Sequence, residues 1–281
     1  MPDLADVARE RDTIDYEPYA LVTGASRGIG LALAKELAAR GFDLMIVAED
    51  DAIHAAAHLL RDTGVAVYPI RADLRTNEGV DLVAAALLAS NAPPAVAALN
   101  AGVGVSGSFV ETSLVDELDL LRLNVVSVVH LSKHVLPMMV DAGRGRVLYT
   151  ASIAADLPGP FMAVYAASTA FVLSFAEAVR NELQHTGVTI TTALPGPTDT
   201  DFFRRAGMLD TKAAQGHKDD PALVAHDALE ALFDGADQRV TGSFRNKLMD
   251  TMAHLAPDKT NAAVHRRMTE PGSGYSERRA D

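Results

Sequence analysis

The sequence has no cysteine and no tryptophan, only 5% of its residues are aromatic, and it carries no excess of basic charge. Without cysteine there are no disulfides, thiolate metal sites or cysteine nucleophiles, and a reducing cytoplasm is the expected location. Lys and Arg number 25 against 37 Asp and Glu, a formal net charge of −12. Nucleic acid and anionic membrane surfaces both call for a basic face, so neither is an expected partner. No apolar run is expected to reach the roughly 18 residues of a spanning helix. The acidic start Met1-Pro2-Asp3-Leu4-Ala5-Asp6 lacks the basic-then-apolar order of a signal peptide. With so few aromatics, the core has to be aliphatic. Hydrophobic residues make up 48% of the 281, enough to bury a large core without staples.

What is present is alternation. Apolar runs at 19–22, 44–48, 65–69, 96–99, 146–150, 188–194 and 238–241 alternate with helical patterns at 28–40, 52–61, 77–90, 113–140, 163–185 and 221–233. This predicts an α/β fold: a doubly wound parallel sheet of about seven strands with helices on both faces. Residues 1–18 are expected to be a flexible acidic arm, 19–245 a single dinucleotide-binding and catalytic domain, and 246–281 a helical extension and tail, disordered from Pro271. Residues 201–219 are predicted to form an irregular, polar, mobile loop over a site.

The stretch Leu21-Val22-Thr23-Gly24-Ala25-Ser26-Arg27-Gly28-Ile29-Gly30 joins the first strand to the first helix. Glycine tolerates the positive φ of a tight turn and lets the backbone approach a ligand closely. The free N–H groups of the helix start favour an anion, so the turn is a candidate phosphate site. Further polar clusters follow later strands: Glu49-Asp50-Asp51, Asp73-Leu74, Asn100-Ala101-Gly102, Ser152, and Pro195-Gly196-Pro197-Thr198-Asp199-Thr200. Ligands of open parallel sheets bind beyond the carboxyl ends of the strands, where these clusters all fall.

Together these residues resemble the short-chain dehydrogenase/reductase family over roughly 19–245. Thr23 to Gly30 is similar to its TGxxxGxG turn, which places Gly24, Ser26, Arg27, Gly28, Ile29 and Gly30 against a dinucleotide. Asn100-Ala101-Gly102 resembles the NAG segment beside the adenosine end, with Asp73 and Leu74 toward the adenine. Pro195, Gly196, Thr198 and Thr200 resemble the segment bordering the nicotinamide. Asn124 falls where the family keeps a helix asparagine that orders a proton relay. Ser152 and Tyr165, thirteen positions apart, match its catalytic serine and tyrosine. The resemblance implies hydride transfer between nicotinamide and a carbonyl or alcohol, with Tyr165 as general acid/base and Ser152 holding the substrate oxygen.

One position departs from this pattern. The family's Y-x-x-x-K reads Tyr165-Ala166-Ala167-Ser168-Thr169 here, and no lysine lies between Lys133 and Lys212. A free tyrosine has a pKa of about 10, raised further by burial. Without the ammonium that lowers it, each pKa unit is worth about 1.4 kcal/mol. The expectation is therefore an oxidoreductase impaired at Thr169 or, alternatively, a dinucleotide-binding sensor or interaction protein without turnover. Arg204 or Arg205 from the loop, or the charge of oxidised nicotinamide, are candidate substitutes.

The cofactor is NAD or NADP. Arg27 favours NADP by pairing with a 2′-phosphate. Glu49 favours NAD by repelling that phosphate and accepting from ribose hydroxyls. His54/His58 and His130/His134 have chelating i,i+4 spacing, but neither pair has an evident third ligand, so no metal is expected. Apolar residues on more than one face of two helices (Val125, Val126, Val128, Val129; Phe171, Val172, Phe175) together with the resemblance imply a homodimer or homotetramer.

Overall fold

A computed structural model describes residues 18–90, 92–243 and 258–275. The expected acidic arm, apart from Pro18, the last two residues of the expected domain, 244–245, and residues 246–257 and 276–281 of the expected extension and tail lie outside the described residues.

The first half of the chain gives β1 (Tyr19–Thr23), α1 (Gly28–Ala39), β2 (Asp43–Ala48), α2 (Ala52–Arg61), β3 (Val67–Arg71), α3 (Asn77–Ala89) and β4 (Val96–Leu99). A helical path then runs through α4 (Leu114–Leu121), a π turn (Arg122–Val126) and α5 (Ser127–Asp141). After it come β5 (Gly145–Thr150), α6 (Ala163–Glu182), β6 (Val188–Pro195), α7 (Phe202–Arg205), α8 (Lys212–Gln215), α9 (Pro221–Phe233), β7 (Gln238–Thr241) and α10 (Asp258–Thr269). The seven strands form one parallel sheet ordered β3-β2-β1-β4-β5-β6-β7. The predicted fold class holds. Because the order reverses at β1, a crevice opens between the carboxyl ends of β1 and β4.

Strand alternation sends side chains to two cores. Ala20 and Val22 of β1 face Leu33, Leu37, Ile53, Leu60, Leu229 and Leu232, from α1, α2 and α9. Leu21 faces the other way, with Val83, Leu87, Leu131, Val135 and Val172, from α3, α5 and α6. Both faces are covered, which is why these strands read as continuous apolar runs.

Several boundaries differ from expectation. β3 starts and ends two residues late, because Ala66 is drawn into the connection by Asp43 Oδ1, which accepts its N–H at 2.7 Å. Its Pro69 is tolerated because β3 is an edge strand. The helix expected to reach His185 ends at Glu182, before the turn that brings Gly187 to φ +78°. Leu114–Asp141 is, by length and composition, apolar enough to cross a bilayer, contrary to the expectation that no stretch would be. Half of its most apolar window is buried inside the fold.

The largest correction concerns 201–219. In place of an irregular polar loop there is a small cap in which Phe203, Ala206, Met208, Ala213 and Ala214 are buried together with Met162. α10 packs on α8. Thr269 Oγ1 donates to Pro160 O at 2.8 Å, and Gly274 N to Asp210 O at 2.8 Å. The described residues after α10 are thus held to the cap as far as Gly274, beyond the Pro271 where disorder was expected.

Candidate active site

The turn after β1 is shaped by close backbone packing. Gly24 and Gly28 have φ of +70° and +56°. A Cβ on Gly30 would lie 2.2 Å from Gly24 O, so α1 can approach β1 only with glycine there. Thr23 Oγ1 accepts from the N–H groups of Asn100 and Ala101 at 2.9 and 3.0 Å, and Asn100 Nδ2 donates to Thr23 O. The crevice between β1 and β4 is braced in this way. The N-termini of α3, α4 and α9 are capped by Thr76, Ser113 and Asp220. α1 has no capping side chain and no acidic residue in its first turn, so its leading N–H groups are available to an anion. These residues fit a dinucleotide's pyrophosphate.

This turn is one wall of a cleft of about 340 Å³. Every residue singled out in the sequence as catalytic or cofactor-binding lines it, from Gly24 through Glu49, Asp73, Asn100, Asn124, Ser152, Tyr165 and Thr169 to Thr200. The tertiary fold brings together positions up to 176 apart in the sequence.

Charge gathers beside β2 and β3. Glu49 accepts from Arg75 at 2.8 Å and from Arg205 at 2.5 Å. Arg27 pairs with Asp50 at 2.5 Å and Arg71 with Asp51 at 3.0 Å. Arg75 also grips Asp73, and its hydrogen bonds hold that carboxyl below the usual carboxylate range. The Arg204 and Arg205 substitutes fail for a geometric reason. Arg204 pairs with Asp201 on the surface, and Arg205 is committed to Glu49.

The other end is different. Ser152 accepts from Ala154 N at 3.1 Å and donates to Pro195 O at 3.4 Å, which fixes its hydroxyl at the carboxyl end of β5. Tyr165, in the first turn of α6, lines the cleft with Ser152 and lies against Phe202, ring centroids 5.2 Å apart. Burial pushes the Tyr165 hydroxyl above its ordinary value, and the Ser152 hydroxyl offsets this only in part. Thr169, one turn further on, is buried, and its Oγ1 donates to Ala166 O at 2.9 Å. The hydroxyl is spent on its own helix. Among the described residues, no lysine lines the cleft.

Asn124 sits in the π turn, where the widened helix lets its side chain turn toward β4. Its Oδ1 accepts from Val103 N at 3.0 Å, and its Nδ2 donates to Val103 O at 2.9 Å and to Ser168 Oγ at 3.1 Å. Ser168 in turn donates to Tyr165 O at 2.7 Å. The amide therefore positions the helix that carries Tyr165. Sequence reasoning did not single out Ser168, nor His265, Met268 and Thr269 of α10, which also line the cleft. Ser168, set among Ala166, Ala167, Thr169 and Ala170, carries no signal of its own, and the α10 residues arrive from a segment read as lying outside the domain. Burial lowers the affinity of the His265 imidazole for a proton.

Known proteins bear on this arrangement. Residues 18–208 match the family described as short chain dehydrogenase. Sulfoacetaldehyde reductase of Chromohalobacter salexigens is 31% identical over 216 residues, 75% of this chain and 85% of that protein. A short-chain dehydrogenase from Sphingobium yanoikuyae, solved with NADPH, superposes with a TM-score of 0.75 at 30% identity, covering 85% of this chain and 94% of the other. A Burkholderia phymatum short chain dehydrogenase/reductase, solved with NAD, has the same fold, with a TM-score of 0.79 at 24% identity over 91% and 99% of the two chains. The braced glycine turn, Ser152 and Tyr165 in one cleft and the match over two thirds of its length agree: this chain belongs to the short-chain dehydrogenase family.

Proposed function

We propose that this chain is an NAD-preferring dehydrogenase/reductase that interconverts a small carbonyl compound and its alcohol, at a rate held down by Thr169. Membership of the family makes it an NAD(P)-dependent oxidoreductase. The observation that carries the reading is that Ser152 and Tyr165 line one cleft with the uncapped start of α1.

When bound, the nicotinamide cofactor supplies the two-electron donor or acceptor. The N–H groups around Gly28, Ile29 and Gly30, with Ser26, hold its pyrophosphate. Asp73, Leu74 and Asn100 to Gly102 border the adenosine, and Pro195, Gly196, Thr198 and Thr200 border the nicotinamide. Ser152 Oγ donates to the substrate oxygen. Tyr165 Oη gives that oxygen a proton in reduction and takes one in oxidation. Thr169 stands where the family carries its lysine and brings no charge, so Tyr165 rests in its protonated form. That form is the one that reduction requires, whereas oxidation requires its loss of a proton.

Glu49 supports the choice of NAD. Its carboxylate lines the cleft and already engages Arg75 and Arg205, so a 2′-phosphate would have to displace it from both. Arg27, the residue favouring NADP, is paired with Asp50. The apolar lining of Met162, Phe202, Phe203, Met208 and Met268 suits a substrate with an apolar body. A homodimer or homotetramer in the cytoplasm completes the proposal, supported by the exposed Leu114, Val115, Val126 and Phe171 on α4, the π turn and α6.

The bond from Thr169 to Ala166 O favours a second reading, a dinucleotide-binding protein without turnover. Titration with NAD and NADP, followed by a carbonyl and alcohol scan of wild type and Thr169→Lys, separates the two. Turnover by wild type that rises in the variant supports the impaired enzyme. Binding with turnover in the variant alone supports the silent protein. Equal turnover in both overturns the role given to the missing charge.

A further inference from the structure

α3 and α5 lie side by side on one face of the sheet. His130 and His134, one turn apart on α5, hold their rings 5.3 Å apart, centroid to centroid. Asp81 of α3 reaches across, and its Oδ1 is 3.6 Å from His130 Nε2. One ligating atom from each of the three residues lies within 4.8 Å of the other two. The i,i+4 spacing brings the two imidazoles together, and Asp81 adds a carboxylate to them from a second helix. Among the described residues, no other group of histidines and carboxylates converges in this way.

We propose that Asp81, His130 and His134 form a binding site for a divalent transition-metal ion of the zinc class. Donor atoms bound at about 2.1 Å to a tetrahedral ion lie about 3.4 Å from one another. The Asp81–His130 separation already has that size, and a side-chain adjustment brings in His134. Two imidazoles and one carboxylate suit zinc, whereas magnesium and calcium take oxygen ligands. Three protein ligands leave a fourth position for water. The Asp81 side chain is 65% exposed, so an ion has a path in from solvent. Bound there, it would tie the helix following β3 to the one preceding β5. Sequence spacing exposed the two histidines, but the third ligand lies 49 residues before His130 and only the packing of α3 on α5 supplies it.

The test needs no substrate. The full chain, stripped with a chelator, is titrated with zinc chloride by calorimetry and melted with and without zinc. The expected result is one high-affinity zinc per chain and a rise in melting temperature of roughly 5 °C at saturation. Affinity should fall at least about tenfold in Asp81→Asn and in His134→Ala. His54→Ala should bind as wild type, because His54 and His58 are exposed on α2 and have no third ligand among the described residues. Circular dichroism of the metal-free variants checks their folding. Asp81 is exposed, so its isosteric variant decides the matter if His134→Ala misfolds. Absence of zinc binding in wild type, or unchanged affinity in Asp81→Asn, overturns the proposal.

Discussion

At the β2–β3 end of the cleft, Arg27, Arg71, Arg75 and Arg205 pair with Asp50, Asp51, Asp73 and Glu49, whereas around Tyr165 the walls are Met162, Phe202, Ser152 and Thr169. The first end is rich in charge that does little for stability. Its pairs are solvent-accessible, and such pairs contribute about 0–1 kcal/mol each. Their use lies in choosing a ligand, since a bound phosphate or hydroxyl has to fit among arginines already committed. The second end is poor in charge, and there a single charge would count heavily. Apolar surroundings strengthen every electrostatic interaction and are themselves what raises Tyr165. The same cleft is therefore crowded with cations where they matter least to chemistry and lacks one where it would matter most.

The largest expected effect comes from removing the proposed acid/base group. Tyr165→Phe should lower kcat by about a hundred- to ten-thousandfold while leaving NAD affinity nearly unchanged, measured by steady-state kinetics and fluorescence titration. Restoring charge is the complementary experiment. Thr169→Lys should raise the rate of alcohol oxidation at neutral pH by roughly a hundredfold. In the proposed mechanism, oxidation by wild type uses deprotonated Tyr165, whose pKa is raised. Its rate should climb about tenfold per pH unit from about pH 7 to about pH 10 without a plateau, while carbonyl reduction stays flat. Thr169→Lys should bring a plateau down into that range. The smallest effect is expected at the charged end. Glu49→Arg should shift the ratio of NADP to NAD affinity by about tenfold toward NADP, read by titration with each cofactor.

Comparing the two ends also shows what was legible in the chain. The glycine turn could be read because Gly24, Gly28 and Gly30 answer to local backbone geometry, which a stretch of ten residues encodes. Ser152 and Tyr165 were legible through their spacing across one βα unit. The commitments of the charged side chains were not. Arg205 on Glu49 and Arg75 on both Glu49 and Asp73 are settled by which loops meet at the mouth of the cleft. The cap was misread because Arg204, Arg205, Gln215 and His217 sit on its surface and its apolar residues, Phe203, Met208 and Ala213, are spaced for two short helices and a cluster. Only when α10 and Met162 arrive from elsewhere do those residues have a core to join.

Sequence alone determined the doubly wound sheet, the dinucleotide turn and the absence of a lysine four residues after Tyr165. Each of these rests on short-range periodicity or on residue identity, which no folding can alter. Tertiary structure alone decided that Thr169 spends its hydroxyl on Ala166, that Asn124 braces α6 through Ser168, and that α10 helps to wall the cleft. A hydrogen bond is made to whichever acceptor is nearest at the right angle, and that geometry does not exist until the helices have packed.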